Sequence, residues 1–190
     1  MMTAIILAGG KSRRMGRDKA FLELDGVPII KRHLNLLKDI FSNIIIAAND
    51  PEKYRFEDVK VAGDLVLDYG PLAGIYSGLM ASDTFYNFIV ACDMPFLNER
   101  LIRYLITRAG SWDVVVPKVD GKYHPLFGVY SKRCIPAIDR LIKDREHRVI
   151  SLYPNVKTRT ISKKEITRFD EGIRSLININ TQEEAELCQR

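Results

Sequence analysis

No stretch of this 190-residue chain approaches the roughly 20 consecutive apolar residues that a bilayer-spanning helix needs, so a helical membrane protein is not expected. Cysteine is scarce. The three present (Cys92, Cys134, Cys188) form no C-x-x-C pair and no even framework, which excludes a disulfide-stapled fold and points to a reducing, cytoplasmic setting. Cys92 sits in an apolar run and reads as packing rather than as a nucleophile. The three histidines (His33, His124, His147) share no metal-ligand spacing, and G-x-S-x-G is missing, so neither a zinc centre nor a Ser-His-Asp hydrolase is indicated. There is no internal repeat, low-complexity tract or linker, and no charged leader ahead of an apolar segment.

What is present is a globular composition, 46% hydrophobic and 28% charged, enough for a real core and read as a single domain over 1–190. The net charge of +5 raises the question of nucleic acid. The excess is mild, however, and much of it lies in residues 11–19. No basic-aromatic alternation, helix-turn-helix or zinc finger accompanies it, so a small polyphosphate is the better-matched anion.

That basic cluster lies in Leu-Ala-Gly-Gly-Lys-Ser-Arg-Arg-Met-Gly-Arg-Asp-Lys, from Leu7 to Lys19. Gly10-Lys11-Ser12 looks like the end of a P-loop, but the first glycine of that motif would fall on Ile5, inside a strand-like run. Gly9, Gly10 and Gly16 do not reproduce the dinucleotide G-x-G-x-x-G either. What survives is a glycine-rich turn at a strand end, followed by Lys11, Arg13, Arg14, Arg17 and Lys19 with only Asp18 opposing them. Solvated loop cations are common, yet this density favours a triphosphate clamp.

Strand-like and helix-like segments alternate along the chain. Strands are expected at Ala4–Leu7, Asn43–Ala47, Val59–Ala62, Phe88–Cys92, Trp112–Pro117 and Leu126–Tyr130, the last two flanking an Asp120-Gly121 turn. Helices are expected at Ile29–Phe41, from Pro71 to Ala81, from Asn98 to Ala109, at Arg133–Lys143 and after Thr181. Residues 144–175 are polar and resist assignment. The rhythm argues for an α/β fold with a mostly parallel, mixed sheet.

In such sheets ligands bind beyond the carboxyl ends of the strands. The residues there are Leu7, Ala8, Gly9 and Gly10 after the first strand, Asn49 after the second, Asp64 after the third and Asp93 after the fourth. Asp93 ends a fully apolar strand ahead of Met94-Pro95. It is either a turn aspartate or a ligand for Mg²⁺, which takes one or two carboxylates plus water and phosphate oxygens. His33 lies on a helix and reads as a surface residue; His124, in Tyr-His-Pro-Leu-Phe, reads as core or substrate contact.

The signature Leu7–Lys19 resembles that of the molybdenum cofactor guanylyltransferases, members of a wider nucleotidyltransferase superfamily. The resemblance continues at Gly70-Pro71-Leu72-Ala73-Gly74, Cys92-Asp93-Met94-Pro95, His124-Pro125-Leu126-Phe127-Gly128 and Asn178-Ile179-Asn180-Thr181-Gln182-Glu183-Glu184, in order and over essentially the whole chain. It implies a three-layer α/β/α sandwich with a Rossmann-like nucleotide-binding half, residues 1–95 serving the nucleotide and 96–190 the acceptor. It also implies GTP and molybdopterin as substrates, Mg²⁺ as cofactor, and molybdoenzyme maturation proteins as further partners. By the same resemblance, Leu7, Ala8, Gly9 and Gly10 read the base, while Lys19 and Arg14 meet the phosphates. Asn49, Asp64 and Asp93 bind nucleotide, with Asp93 also on the metal, and His124, Asn178 and Asn180 face the acceptor. Two positions depart from the family pattern: Met94 stands where Thr is common, and Ala47 where a polar residue is expected. Gly9-Gly10, in place of the Ala-Gly of cytidylyl relatives, favours GTP. Transfer from CTP to molybdopterin, or from another NTP to a sugar phosphate, is the alternative.

Overall fold

The computed structural model describes residues 1–8, 19–54, 56, 59–66 and 69–187. In chain order the strands are β1 (Thr3–Leu7), β2 (Glu23–Leu24), β3 (Val27–Pro28), β4 (Asn43–Ala48), β5 (Lys60–Gly63), β6 (Tyr86–Ala91), β7 (Val114–Val119), β8 (Lys122–Tyr123), β9 (Phe127–Ser131) and β10 (Thr158–Ser162). The helices are α1 (Ile29–Lys38), α2 (Pro71–Ala81), α3 (Glu99–Arg108), α4 (Ile135–Lys143), α5 (Lys163–Ile166) and α6 (Gln182–Leu187).

Eight strands form one sheet in the order β10-β7-β9-β6-β1-β4-β5, with β8 paired to β7. β1 lies parallel between β4 and β6, and β5 extends the parallel half. Only β9 and β8 run antiparallel to their neighbours, so the sheet is mixed but mostly parallel, as the alternation of elements implies. Val119 and Lys122 pair across the Asp120-Gly121 turn, both of whose residues have positive φ (48° and 82°), the two-residue hairpin geometry. The strand after that turn is β8. The longer β9 follows it and joins β7 to β6.

Side chains alternate cleanly across β1. Ala4 and Ile6 belong to one buried cluster, which holds Leu34 and Leu37 of α1 and Leu101, Ile102 and Leu105 of α3. Ile5 and Leu7 belong to another, which holds Leu72, Ile75 and Leu79 of α2 and Ile138 of α4. Helices therefore cover both faces, and a strand buried on both faces has no reason to alternate polar with apolar residues. α2 comes unusually close: a Cβ at Gly78 would stand 2.5 Å from Ile5 Cγ2 and one at Gly74 3.3 Å from Leu7 Cδ2. Glycine at those positions lets the helix seat on the strand. Asn98 starts α3, its side chain accepting from the Leu101 N–H at 3.1 Å, a cap worth about 1 kcal/mol.

Residues 144–175, silent in sequence, supply a 3-10 segment (Val149–Asn155), the edge strand β10 parallel to β7, and α5 with a capping box between Ser162 and Glu165. Short elements with polar edges carry too little periodicity to be read in advance. The last segment, beyond residue 176, crosses back to the first half. There Ile179 is fully buried with Leu22, Leu24 and Ile29, and full burial of such a side chain is worth roughly 1.5–3 kcal/mol.

Candidate active site

At the carboxyl edge of the sheet, β6 hands the chain to Asp93. The Cys92 N–H donates to the Leu7 carbonyl (3.0 Å) and the Ala91 N–H to the Leu126 carbonyl (2.9 Å), which ties this exit to β1 on one side and to the entry of β9 on the other. Asp93 then collects partners from distant parts of the sequence. Lys19 Nζ lies 3.3 Å from its Oδ2, Asn178 Nδ2 donates to Oδ1 at 2.8 Å, and the Ile179 N–H donates to its main-chain carbonyl at 2.8 Å. Lys19 also donates to Asn180 Oδ1 at 2.6 Å. With Ile179 pointing into the core, its two asparagine neighbours are left to meet the carboxylate and the ammonium group.

The C-terminal segment is itself fastened. Gln182 accepts from the Glu23 N–H (3.2 Å) and donates to the Glu23 carbonyl (3.0 Å), a reciprocal amide clasp on β2. Glu184 accepts from the Asn180 N–H at 2.6 Å, and Thr181 Oγ1 accepts from the Glu184 N–H at 3.0 Å. The sequence offered Gln182 and Glu184 only as part of a motif; nothing in their spacing identified them as anchors for Asn180.

The remaining candidates spread along the same edge in strand order. Leu7 and Ala8 lie at the exit of β1, where the Leu7 carbonyl and the Ala8 N–H (2.8 Å to the Ala47 carbonyl) are engaged in the sheet. Asn49 is exposed beyond β4. Asp64 follows β5. Its Oδ1 is buried and has no hydrogen-bond partner among the described residues, and burial raises its carboxyl above the ordinary value. The next residue is fixed, since the Leu65 N–H donates to the buried Ser77 hydroxyl of α2 at 2.8 Å. His124 stands between β8 and the entry of β9, where burial and then the nearby Lys122 lower its pKa. Gly9, Gly10 and Arg14 lie outside the described residues.

Three inter-strand steps separate β6 from β5, so Asp93 and Asp64 stand about 14 Å apart along the edge. They cannot share one ion. The arrangement suits an elongated ligand, with a carboxylate acceptor at one end and a carboxylate-and-cation cluster at the other.

One sequence expectation changes. His33 is not a surface residue: it is 1% exposed, and its Nε2 lies 2.9 Å from the Met94 carbonyl. Burial, the largest influence, takes its pKa down to about 4. The error came from reading one helical face only; α1 is covered on a second side by the turn after β6. Met94, at a position where a polar residue was expected, buries its side chain in the core and so presents only backbone to its surroundings. Ala47 is likewise a core residue, packed with the cluster beneath α2.

The MobA-like NTP transferase domain family matches residues 4–157. This chain belongs to that family. The molybdenum cofactor guanylyltransferase of Desulfosudis oleivorans is 40% identical over 190 residues, covering 99% of this chain and 94% of that protein. A probable molybdenum cofactor guanylyltransferase of Natranaerobius thermophilus is 36% identical over 195 residues, covering 100% and 95%. Among solved structures, the molybdopterin-guanine dinucleotide biosynthesis protein A of Archaeoglobus fulgidus superposes with a TM-score of 0.84 at 23% identity, covering 100% of this chain and 97% of that one, and so shares its fold. In this MobA-like chain, no helix among the described residues is long and apolar enough to cross a membrane. Nor do three His, Cys, Asp or Glu side chains gather into a metal cage there.

Proposed function

We propose that this protein transfers GMP from GTP to the terminal phosphate of molybdopterin, forming molybdopterin guanine dinucleotide and pyrophosphate. The observation that carries the reading is the convergence of Lys19, Asn178 and Asn180 on Asp93, beyond the strand next to β1. Full-length identity of 36–40% to guanylyltransferases supports the choice of substrates.

The chain works as one domain, residues 1–95 holding the nucleotide and 96–190 the acceptor, with Asn178 and Asn180 reaching back to the boundary. The base lies toward the exits of β4 and β5. Asn49 and the backbone of Leu7 through Gly10 read it, and Asp64 Oδ1, which has no partner among the described residues, accepts a ring or ribose hydrogen bond. Lys19 and Arg14 offset charge on the α-phosphate and on the departing pyrophosphate. His124, Asn178 and Asn180 orient the acceptor.

Asp93 suits Mg²⁺. Among the described residues each of its oxygens carries a single hydrogen bond, and its side chain is 16% exposed, so water and phosphate oxygens can complete a shell that needs only one or two carboxylates. Bound there, Mg²⁺ would neutralise developing phosphate charge. The chemistry is an in-line displacement: an oxygen of the acceptor phosphate bonds to the α-phosphorus, and the bond from that phosphorus to the α,β-bridging oxygen of GTP breaks, that oxygen leaving with pyrophosphate. No enzyme-bound intermediate is required, so the residues contribute positioning and charge.

GTP, CTP and UTP, each labelled at the α-phosphate, offered with molybdopterin and with a sugar 1-phosphate, test the reading. Label transfer from GTP to molybdopterin is expected. Dominant transfer from CTP, or to the sugar phosphate, would overturn it.

A further inference from the structure

The turn that carries Asp93 is held from behind by a histidine for which the reaction above has no use. His33 projects from α1 and is almost wholly buried, with Nε2 at 2.9 Å from the Met94 carbonyl. A carbonyl can only accept, so the ring N–H is on Nε2, and the neutral ring then bears a bare lone pair on Nδ1. That Nδ1 is buried and has no hydrogen-bond partner among the described residues. An unsatisfied buried polar atom costs about 1–3 kcal/mol, and the residues that share this buried face of α1 (Ile29, Ile30, Leu34, Leu37) are all aliphatic. Leucine would fill position 33 without an unpartnered nitrogen of its own.

The imidazole offers one thing that leucine cannot: a donor for Met94. The turn has few donors of its own. The Met94 N–H is used on the Ala91 carbonyl (3.3 Å), and Pro95 has no N–H. The two carbonyls that follow the strand exit are instead held by outside groups, Asp93 by the Ile179 N–H and Met94 by His33. These bonds hold two consecutive peptide planes, Asp93–Met94 through the Asp93 carbonyl and Met94–Pro95 through the Met94 carbonyl, and so fix the turn from which the Asp93 side chain leaves the backbone.

We propose that His33 is a positioning residue for nucleotidyl transfer, setting the orientation of the Asp93 carboxylate through the Met94 carbonyl. The inference rests on the assignment of Asp93 to nucleotide and metal. A misplacement of about 1 Å in a reacting constellation can lower turnover roughly a hundredfold, so a single backbone hydrogen bond behind the carboxylate is enough to matter.

Four proteins test this: the native enzyme, His33→Leu, His33→Gln and Asp93→Ala. For each, the thermal midpoint, kcat, KM for GTP and the affinity for Mn²⁺ (by its electron paramagnetic resonance signal in the presence of GTP) are measured. His33→Leu, which loses an unpartnered nitrogen and a hydrogen bond together, is expected to keep the midpoint close to native, to lose ten- to a hundredfold in kcat with KM for GTP within about threefold, and to bind Mn²⁺ about tenfold more weakly. His33→Gln, whose amide can reach the same carbonyl, is expected to recover most of both losses. His33→Leu with native kcat and Mn²⁺ affinity, beside an inactive Asp93→Ala, overturns the role of His33 while leaving Asp93 in place. A fall in kcat that tracks a fall in midpoint and is not rescued by glutamine also overturns it, by making His33 merely structural. Native turnover by Asp93→Ala would remove the assignment beneath both. His33→Met replaces His33→Leu if the latter does not fold, and is judged by the same outcomes.

Discussion

The two edges of one sheet treat their aspartates in opposite ways. At the amino edge, Asp113 precedes β7 and is saturated by its own surroundings: it accepts from the Arg133 guanidinium, from the Lys157 N–H (2.9 Å) and from the Ser131 hydroxyl (3.3 Å). Burial pushes its carboxyl up, but these donors together bring it below the ordinary value. At the carboxyl edge, among the described residues, Asp64 keeps a buried oxygen with no donor, and Asp93 holds one hydrogen bond per oxygen from residues 74 and 85 positions away. A carboxylate whose partners are all internal ties strands together. A carboxylate left wanting, or held by long-range donors with lone pairs to spare, is open to a ligand.

Substitutions on the two edges should separate cleanly. Asp93→Ala is expected to lower GTP-dependent pyrophosphate release by about a thousandfold, with a midpoint close to native, since removing charge stabilisation from a transition state costs on the order of 3–4 kcal/mol. Turnover near native would erase the distinction between the edges.

Acid should weaken the protein through His33. The native state excludes a proton that the unfolded chain binds below about 6.5, so stability is expected to fall as pH drops from about 6.5 toward about 4, by at most about 3 kcal/mol from this group. His33→Leu should remove that part of the slope, which denaturant titrations at pH 7, 5.5 and 4.5 would read.

Asp113→Ala should do the reverse of Asp93→Ala: a loss of about 2 kcal/mol in stability with kcat of the folded enzyme within about twofold of native. Since partners depress the Asp113 pKa, its contribution is present above the unfolded value near 3.9 and fades as pH falls through the lower folded value.

The smallest effect is expected at Asp64. Its carboxyl is raised by burial, so its charged form opposes folding at neutral pH, and Asp64→Asn should be as stable as native or slightly more so. The same change should raise KM for GTP about tenfold, or 1.4 kcal/mol. An unchanged KM would place Asp64 with Asp113 as a structural residue.

The fold was legible because its strands are buried on both faces. Continuous runs such as Ile5-Ile6-Leu7 and Phe88-Ile89-Val90, separated by helical patterns, leave little choice but a mostly parallel sheet, and a parallel sheet fixes which edge holds the ligand. Asp64, Asp93 and Asn49 were found by that rule alone. Asn178 and Asn180 were found only through resemblance, because no periodicity announces that residues 161 positions from Lys19 will return to it. His33 was missed for a related reason. A helix-spaced polar residue ordinarily faces solvent, and its burial here depends on a turn some sixty residues away. Residues 144–175 were opaque because their elements are short and half exposed, with no periodicity to read.

The central claim is that one nucleotide lies along the carboxyl edge, its base toward β5 and its α-phosphate at β6. A crystal structure with GTP and Mg²⁺ measures this directly. It should show the purine beyond β4 and β5 with a hydrogen bond to Asp64 Oδ1, and the metal on Asp93 beside Lys19 and the phosphates. A nucleotide seated beyond β7 and β9, or a metal that leaves Asp93 untouched, would contradict the account.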